Sequence, residues 1–144
     1  MNVRRMQQAY GSSALQTEVE VASPHKLVLM LFDGALQAIR LAKVQMAQGK
    51  VAEKGQLIGK AVSIVDEGLR NSLDIAQGGE LAVNLSGLYE YCTRRLLQAN
   101  LDNDAAALDE VSALLDEVRS AWVEIGRKPN PAEAQMQATA DAGI

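Results

Sequence analysis

The sequence predicts an all-α protein, an antiparallel four-helix bundle, and three observations lead to that fold class. Apolar residues make up 48% of the 144-residue chain and aromatic residues only 3%, so the core must consist of aliphatic side chains, several of which favour helices. The segment between Pro24 and Pro129 contains no proline, the residue that breaks helices. Apolar residues recur there at helical spacing in four segments joined by short loops, as in antiparallel bundles.

The elements follow in order along the chain. Residues 1–22 are polar with scattered apolar positions, and we interpret them as a mobile N-terminal arm with room for a short extra helix. Ser23 is a good N-cap and Pro24 suits the first helical position, so the first helix begins there. The bundle domain then spans 23–126, and the Pro- and Ala-rich residues 127–144 form a disordered tail.

The helix boundaries within the bundle come from glycines and capping residues. The predicted helices cover 24–48, 51–76 and 80–100, with Gly49 and the pair Gly78-Gly79 in the loops between them. The sequence "DND" at 102–104 offers caps for a fourth helix that ends near Gly126.

Charge and cysteine content exclude several function classes. The net charge is −4, and the fourth helix concentrates six acidic residues against one arginine between residues 103 and 126, which we interpret as a solvated face. No basic patch exists, so nucleic-acid binding is not expected. Cys92 is the only cysteine, which fits a reducing compartment and a small buried side chain. No apolar run approaches the roughly 20 residues of a membrane span, so we expect a soluble, cytoplasmic protein without membrane insertion.

The first helix carries more apolar surface than one core contact requires. Its stretch "SPHKLVLMLFDGAL" places six apolar residues in succession, Leu27 to Phe32. One seam holds Leu27, Leu31, Gly34, Ala38 and Ala42, and a second sector holds Val28, Phe32, Leu36, Ile39 and Met46. The second helix is apolar over half its circumference and includes Leu57 and Ile64. Two interpretations remain open: a helix central to a bundle, or a hydrophobic groove for another chain.

The residue types offer little for catalysis. His25 is the only histidine, so paired metal-binding motifs are absent from the sequence, and we expect no metal and no cofactor. Histidine phosphotransfer bundles use one exposed histidine followed by lysine and glycine three and four residues on, whereas Val28 and Leu29 stand there. Phosphotransfer on His25 is therefore the alternative of the enzyme class, and a homodimeric structural bundle is the other alternative.

Two longer stretches carry a resemblance to a known family. "VASPHKLVLMLFDGALQAIRLAK" and "LDIAQGGELAVNLSGLYEYCTRRLLQAN", followed by Trp122, resemble the flagellar secretion chaperone FliS from Tyr10 onward. Departures are Phe32, where the family often has tyrosine, and Cys92, where a larger apolar residue is common.

The resemblance implies a non-enzymatic chaperone. Such a protein binds the disordered C-terminal region of flagellin in the cytoplasm, prevents premature polymerisation, and delivers flagellin to the export gate of the flagellar type III secretion apparatus. It uses no cofactor, and the free protein could form a homodimer. The N-terminal arm would cover part of the client surface. Seven residues are expected to face the client or this cap: Tyr10, Val28, Phe32, Leu36, Ile39, Leu57 and Ile64.

Overall fold

Residues 23–127 are described by a computed structural model as an antiparallel bundle of four helices. They are α1 (Pro24–Ala47), α2 (Val51–Ser63), α3 (Ile75–Asp102) and α4 (Ala105–Arg127). The helical path of α2 continues as a π-helix over Ile64–Leu69 and a 3-10 turn over Arg70–Ser72. Helix α1 packs against α2 and α4, and α3 packs against the same two from the opposite side. The predicted fold class is confirmed for this part of the chain.

The first helix begins and ends where the sequence predicts. The Ser23 hydroxyl accepts a hydrogen bond from the Lys26 amide at 3.2 Å, and Pro24 occupies the first turn. Gly49 supplies the positive φ of 71° that reverses the chain into α2. Both neighbours of α1 bury part of it, and its buried residues are Leu27, Met30, Leu31, Phe32, Gly34, Ala35, Ala38, Ile39 and Ala42.

The end of the second helical run differs from the prediction. We expected helix over 51–76, but the run ends at Ser72 and Leu73 is extended, with φ −72° and ψ 136°. The Asp74 carboxylate then accepts a hydrogen bond from the Gln77 amide at 3.1 Å and caps the N-terminus of α3. Residues from Ile75 onward therefore belong to α3. Gly79, with φ 55° and ψ −132°, kinks α3 in its second turn instead of preceding it.

A buried lysine joins the start of α2 to the end of α3. Lys54 is only 3% exposed, and its ammonium group donates to the Asn100 carbonyl at 2.8 Å and to Asn103 Oδ1 at 2.6 Å. Asn103 has the left-handed φ of 51° that ends α3. The ammonium thus satisfies a carbonyl that the helix itself leaves unpaired, and it places positive charge at a helix C-terminus.

The core is aliphatic, with one aromatic pair across it. The rings of Phe32 on α1 and Tyr89 on α3 lie 6.4 Å apart at 60°. Burial raises the pKa of the Tyr89 hydroxyl to about 12. Cys92 is also buried, and burial followed by the nearby Glu110 raises the pKa of its thiol to about 11, so the thiol is un-ionised at neutral pH. The prediction that Cys92 is a small buried side chain is confirmed.

A polar triad ties α3 to α4. The Tyr91 hydroxyl donates to Glu110 Oε2 at 2.6 Å, and Arg95 Nε donates to Oε1 at 2.7 Å. These hydrogen bonds, from Tyr91 first and Arg95 second, lower the pKa of the Glu110 carboxyl below its usual value. The other acidic side chains of α4 that the sequence placed on a solvated face are exposed, among them Asp109, Asp116 and Glu124.

Candidate functional site

An apolar pocket opens at the end of the bundle where α1 begins and α4 ends. It has a volume of about 280 Å³ and lies between α1, α3 and α4, beside the turn that precedes α3. Its lining is Val28, Phe32, Ser72, Leu73, Asp74, Gly78, Leu81, Ala82, Leu85, Tyr89, Val118 and Trp122. We call it the end pocket. Leu81, at its rim, is 64% exposed, which is high for a leucine beside an apolar cavity.

One wall of the end pocket is held by a reciprocal contact between His25 and Trp122. Their rings stack with centroids 5.0 Å apart and an interplanar angle of 10°. Trp122 Nε1 donates to the His25 carbonyl at 3.1 Å, and His25 Nε2 donates to the Trp122 carbonyl at 2.8 Å. A Cβ atom at Gly126 would collide with the imidazole, so the helix end needs glycine there.

This geometry bears on the phosphotransfer alternative. His25 Nε2 is engaged by a carbonyl, and one face of the ring is covered by indole. A phosphoryl acceptor needs a ring nitrogen with a free lone pair directed at solvent. The contacts of His25 match a role in fixing the first turn of α1 against α4.

A second apolar area lies on the outer side of the contact between α2 and α3. Leu97 is 52% exposed, Leu101 is 82% exposed, and Val51 at the start of α2 is 66% exposed. Gly55 and Gly59 follow Val51 at intervals of one helical turn, and a Cβ atom at Gly59 would meet nothing within 4 Å. We call this set of five residues the α2–α3 strip. Its position is fixed by the contact of Lys54 with Asn100.

The side chains offer no metal centre among residues 23–127. No group of three or more histidine, cysteine, aspartate or glutamate residues in that range could hold an ion. In the same range, no helix combines the length and the hydropathy that crossing a membrane requires.

Comparison with known proteins places the chain in a family. The model of the family "Flagellar protein FliS" matches residues 6–129. The chain belongs to the FliS family. The match includes the whole bundle and most of the segment that precedes it, so the resemblance inferred from the sequence is confirmed.

Curated relatives of this FliS-family chain are named as chaperones. A "Flagellar secretion chaperone FliS" of Salmonella typhimurium (strain LT2) is 47% identical over 127 residues, which cover 88% of this chain and 94% of the relative. "Flagellar secretion chaperone FliSB" of Pseudomonas aeruginosa is 45% identical over 122 residues, 85% of this chain and 96% of the relative. A "Flagellar secretion chaperone FliS" of Escherichia coli K12 is 45% identical over 117 residues, which cover 81% of this chain and 86% of the relative. Chaperone names, not enzyme names, accompany these relatives.

The seven residues expected to face the client occupy different places in this FliS-family bundle. Val28 and Phe32 both line the end pocket, although Phe32 is only 1% exposed. Leu36 and Ile39 line a separate groove between α1 and α4.

Of the remaining three, Leu57 and Ile64 line neither cavity. Leu57 is half-buried against the core and Ile64, at 2% exposed, is within it. Tyr10 lies outside the described residues. Client contact by all seven stays a prediction, and only Val28 and Phe32 share a cavity that is apolar throughout most of its lining.

Sequence reasoning missed several residues that this FliS-family chain exposes at these surfaces. Leu81 follows the kink at Gly79 by two residues and lies at the pocket rim. Leu97 and Leu101 were not singled out at all. Their signal was available, because both interrupt an outward face that carries Arg94 and Gln98.

Proposed function

We propose that this protein is a flagellin-specific export chaperone. In this proposal it binds the disordered C-terminal region of flagellin in the cytoplasm, prevents premature polymerisation, and delivers the subunit to the flagellar type III export gate. The observation that carries the proposal is the identity of 45–47% to relatives named flagellar secretion chaperones over more than four-fifths of the chain. The function is non-catalytic and uses no cofactor.

The end pocket is the first proposed client site. A disordered segment with apolar residues at helical spacing cannot bury them alone, and a groove on a folded partner supplies the missing contact. Val28 and Phe32 form the pocket floor and Leu81 its exposed rim, so an aliphatic client side chain would enter between α1 and α3. The large exposed fraction of Leu81 supports this placement, because a client would remove that surface from water.

The α2–α3 strip is the second proposed client site. Gly59 leaves the backbone of α2 uncovered, whereas a Cβ atom at Gly55 would lie 3.8 Å from Asn100 Oδ1. Each glycine costs the isolated helix roughly 1 kcal/mol relative to alanine. A helix that packs over this face could approach the backbone closely, while Leu97 and Leu101 cover its apolar side. A client that uses both sites would extend along the length of α3.

The N-terminal arm is proposed as a detachable cover. The arm joins α1 at Ser23, one turn before Val28 in the end pocket, so residues 1–22 have only a short distance to reach it. Tyr10 would supply an amphipathic ring to the apolar lining when no client is bound. Ile64 would support the client surface from within the core, since its burial leaves little side chain to touch.

Titration calorimetry with the C-terminal segment of flagellin from the same organism tests the proposal. We expect a saturable one-to-one isotherm with a negative heat-capacity change, as burial of apolar surface produces. Leu81→Glu should weaken binding about tenfold or more, which is about 1.4 kcal/mol. Val83→Glu is the matched control, because Val83 is 54% exposed on the same helix and lies outside the pocket lining.

Three outcomes would overturn parts of the proposal. No heat and no complex at high micromolar concentrations would refute the chaperone function. Equal weakening by Leu81→Glu and Val83→Glu would refute the end pocket as the client site. A concentration-dependent mass without flagellin affinity would favour the homodimeric bundle instead.

A further inference from the structure

We propose that the groove between α1 and α4 is a docking site for a second protein, distinct from the client. Its occupant is a short amphipathic helix with an aliphatic anchor between one acidic and one basic side chain. The groove has a volume of about 490 Å³ and is lined by Leu36, Ile39, Arg40, Lys43, Asp109, Ser112, Ala113 and Asp116. We call it the α1–α4 groove. The inference goes beyond the proposed function and does not depend on it. It assigns Leu36 and Ile39, which the sequence predicted to face the client, to this second partner instead.

Two ion pairs between the helices bracket the α1–α4 groove. Lys43 Nζ lies 2.7 Å from Asp109 Oδ1 at one end, and Arg119 Nε lies 2.7 Å from Asp33 Oδ1 at the other. The ten residue-to-residue steps from 33 to 43 correspond to about 15 Å of α-helix. An occupant therefore has room for about three helical turns between the two bridges.

The floor of the groove is formed by Leu36 and Ile39 of α1, and α4 presents small side chains opposite them. Ser112 and Ala113 face Leu36 and Ile39 and leave space that leucine-sized residues would fill. Leu36 is half-buried, so part of its side chain remains for a partner to cover, and Ile39 supports it from the core. An aliphatic anchor of the occupant would fit over Leu36.

The walls of the groove carry charges that have no partner among residues 23–127. Arg40 on α1 and Asp116 on α4 make no hydrogen bond or ion pair there, whereas Lys43 and Asp109 are paired with each other. The bridges at the groove ends place Asp116 level with Leu36, one turn or about 6 Å along the axis from Arg40.

This arrangement defines the chemistry of the occupant. A helix with a carboxylate opposite Arg40 and an ammonium or guanidinium group opposite Asp116 would pair both charges. Charge complementarity of this kind fixes register and rejects wrong partners more than it adds affinity. The apolar lining of the end pocket lacks such a pattern, which is why the α1–α4 groove fits a different partner from the client.

The test uses a ten-residue lactam-stapled helical peptide with a fluorescein label. It carries two leucines on one face. A glutamate lies on one side of them and a lysine on the other, one turn apart along the helix. Fluorescence anisotropy should show saturable binding to the full-length protein. Arg40→Glu should weaken it at least tenfold, and a peptide with the glutamate replaced by lysine should recover most of that loss. Ala113→Leu should abolish binding without any change of charge.

The matched control is Arg94→Glu, which makes the same charge change at an arginine 65% exposed on α3. It should leave peptide affinity unchanged, and Arg40→Glu should leave flagellin calorimetry unchanged. The proposal is overturned if the wild-type protein shows no saturable binding, or if both arginine variants weaken it equally. Displacement of the peptide by the flagellin segment would assign the groove to the client. A wild-type dimer that Arg40→Glu dissociates would assign it to a second copy of the chain.

Discussion

Replacing Gly59 by alanine should stabilise the bundle, whereas replacing Gly68 by alanine should not. Both glycines lie in the helical run that begins at Val51. A Cβ atom at Gly59 would meet nothing within 4 Å, so alanine there should stabilise the protein by roughly 1 kcal/mol through helix propensity. A Cβ atom at Gly68 would lie 2.9 Å from Leu31 Cδ2 and 3.3 Å from Cδ1.

The contact with Leu31 decides the sign at Gly68. Leu31, in the first half of α1, is 2% exposed, so its side chain cannot swing into solvent. Overpacking of this kind costs about 1–3 kcal/mol, which equals or exceeds the gain in propensity. We therefore expect Gly68→Ala to be neutral or to destabilise the bundle by up to about 2 kcal/mol. Gly68 thus sets how closely the π-helical turn of the second run approaches α1.

Urea unfolding followed by far-UV circular dichroism measures both variants against the wild type. The free energies of unfolding should differ between the two variants by about 1–3 kcal/mol. Leu31→Ala in the Gly68→Ala background should cost less than Leu31→Ala alone, because the new methyl group fills part of the cavity. Equal stabilisation by alanine at both glycines, with no such coupling, would refute the close approach of α1 and the π-helical turn.

The Gly59→Ala variant also separates stability from function. Under the proposed function Gly59 belongs to the α2–α3 strip, where a client helix approaches the backbone. Gly59→Ala should therefore weaken flagellin binding while it stabilises the free protein. An unchanged dissociation constant would remove the strip from the proposed client surface.

Two further perturbations test the polar contacts that join the helices. Lys54→Met should cost about 1–3 kcal/mol in urea unfolding, because the part-buried Asn100 carbonyl and the Asn103 amide oxygen lose their charged donor. Arg94→Met should cost less than about 0.5 kcal/mol, as an exposed pair within one helix, and equal costs would contradict the role of Lys54. Glu110→Gln should lower stability at neutral pH by an amount that shrinks in acid. The lowered pKa of the Glu110 carboxyl means that its contribution is present above the usual value of 4.5 and is lost as pH falls through the folded-state pKa. Parallel unfolding free energies of wild type and variant from neutral pH down to below 4 would contradict it.

Local chain chemistry made most of the fold predictable. Ser23 with Pro24, the positive φ at Gly49 and the "DND" segment at 102–104 each mark a helix boundary through side-chain hydrogen bonds or backbone freedom. Such signals lie within a few residues of the boundary they determine, so one sequence is enough to find them. The antiparallel order then follows from the short loops.

The boundary between the second and third helices was misplaced for physical reasons. Leu73 and Ile75 continue the apolar pattern, so periodicity alone extends the helix past Ser72. A π-helical turn leaves no pattern that distinguishes it from an α-helix over six residues. The capping signal was nevertheless present, because Asp74 stands three residues before Gln77, the spacing of a capping box. Because this cap was overlooked, Gly79 was placed before α3 and not inside it.

The client surface was less predictable, because the share of a helix's circumference that is apolar depends on how many neighbouring helices it packs against. Helix α1 is apolar over much of its circumference and packs against both α2 and α4, so Phe32 and Ile39 are each 1% exposed. Burial of that extent agrees with the interpretation of α1 as a central helix. Outward leucines such as Leu101 have no such explanation, since a lone apolar side chain on a charged face adds nothing to the core. A partner surface in a helical bundle is therefore better sought where apolar residues interrupt a polar face than on the helix with the largest apolar share of its circumference.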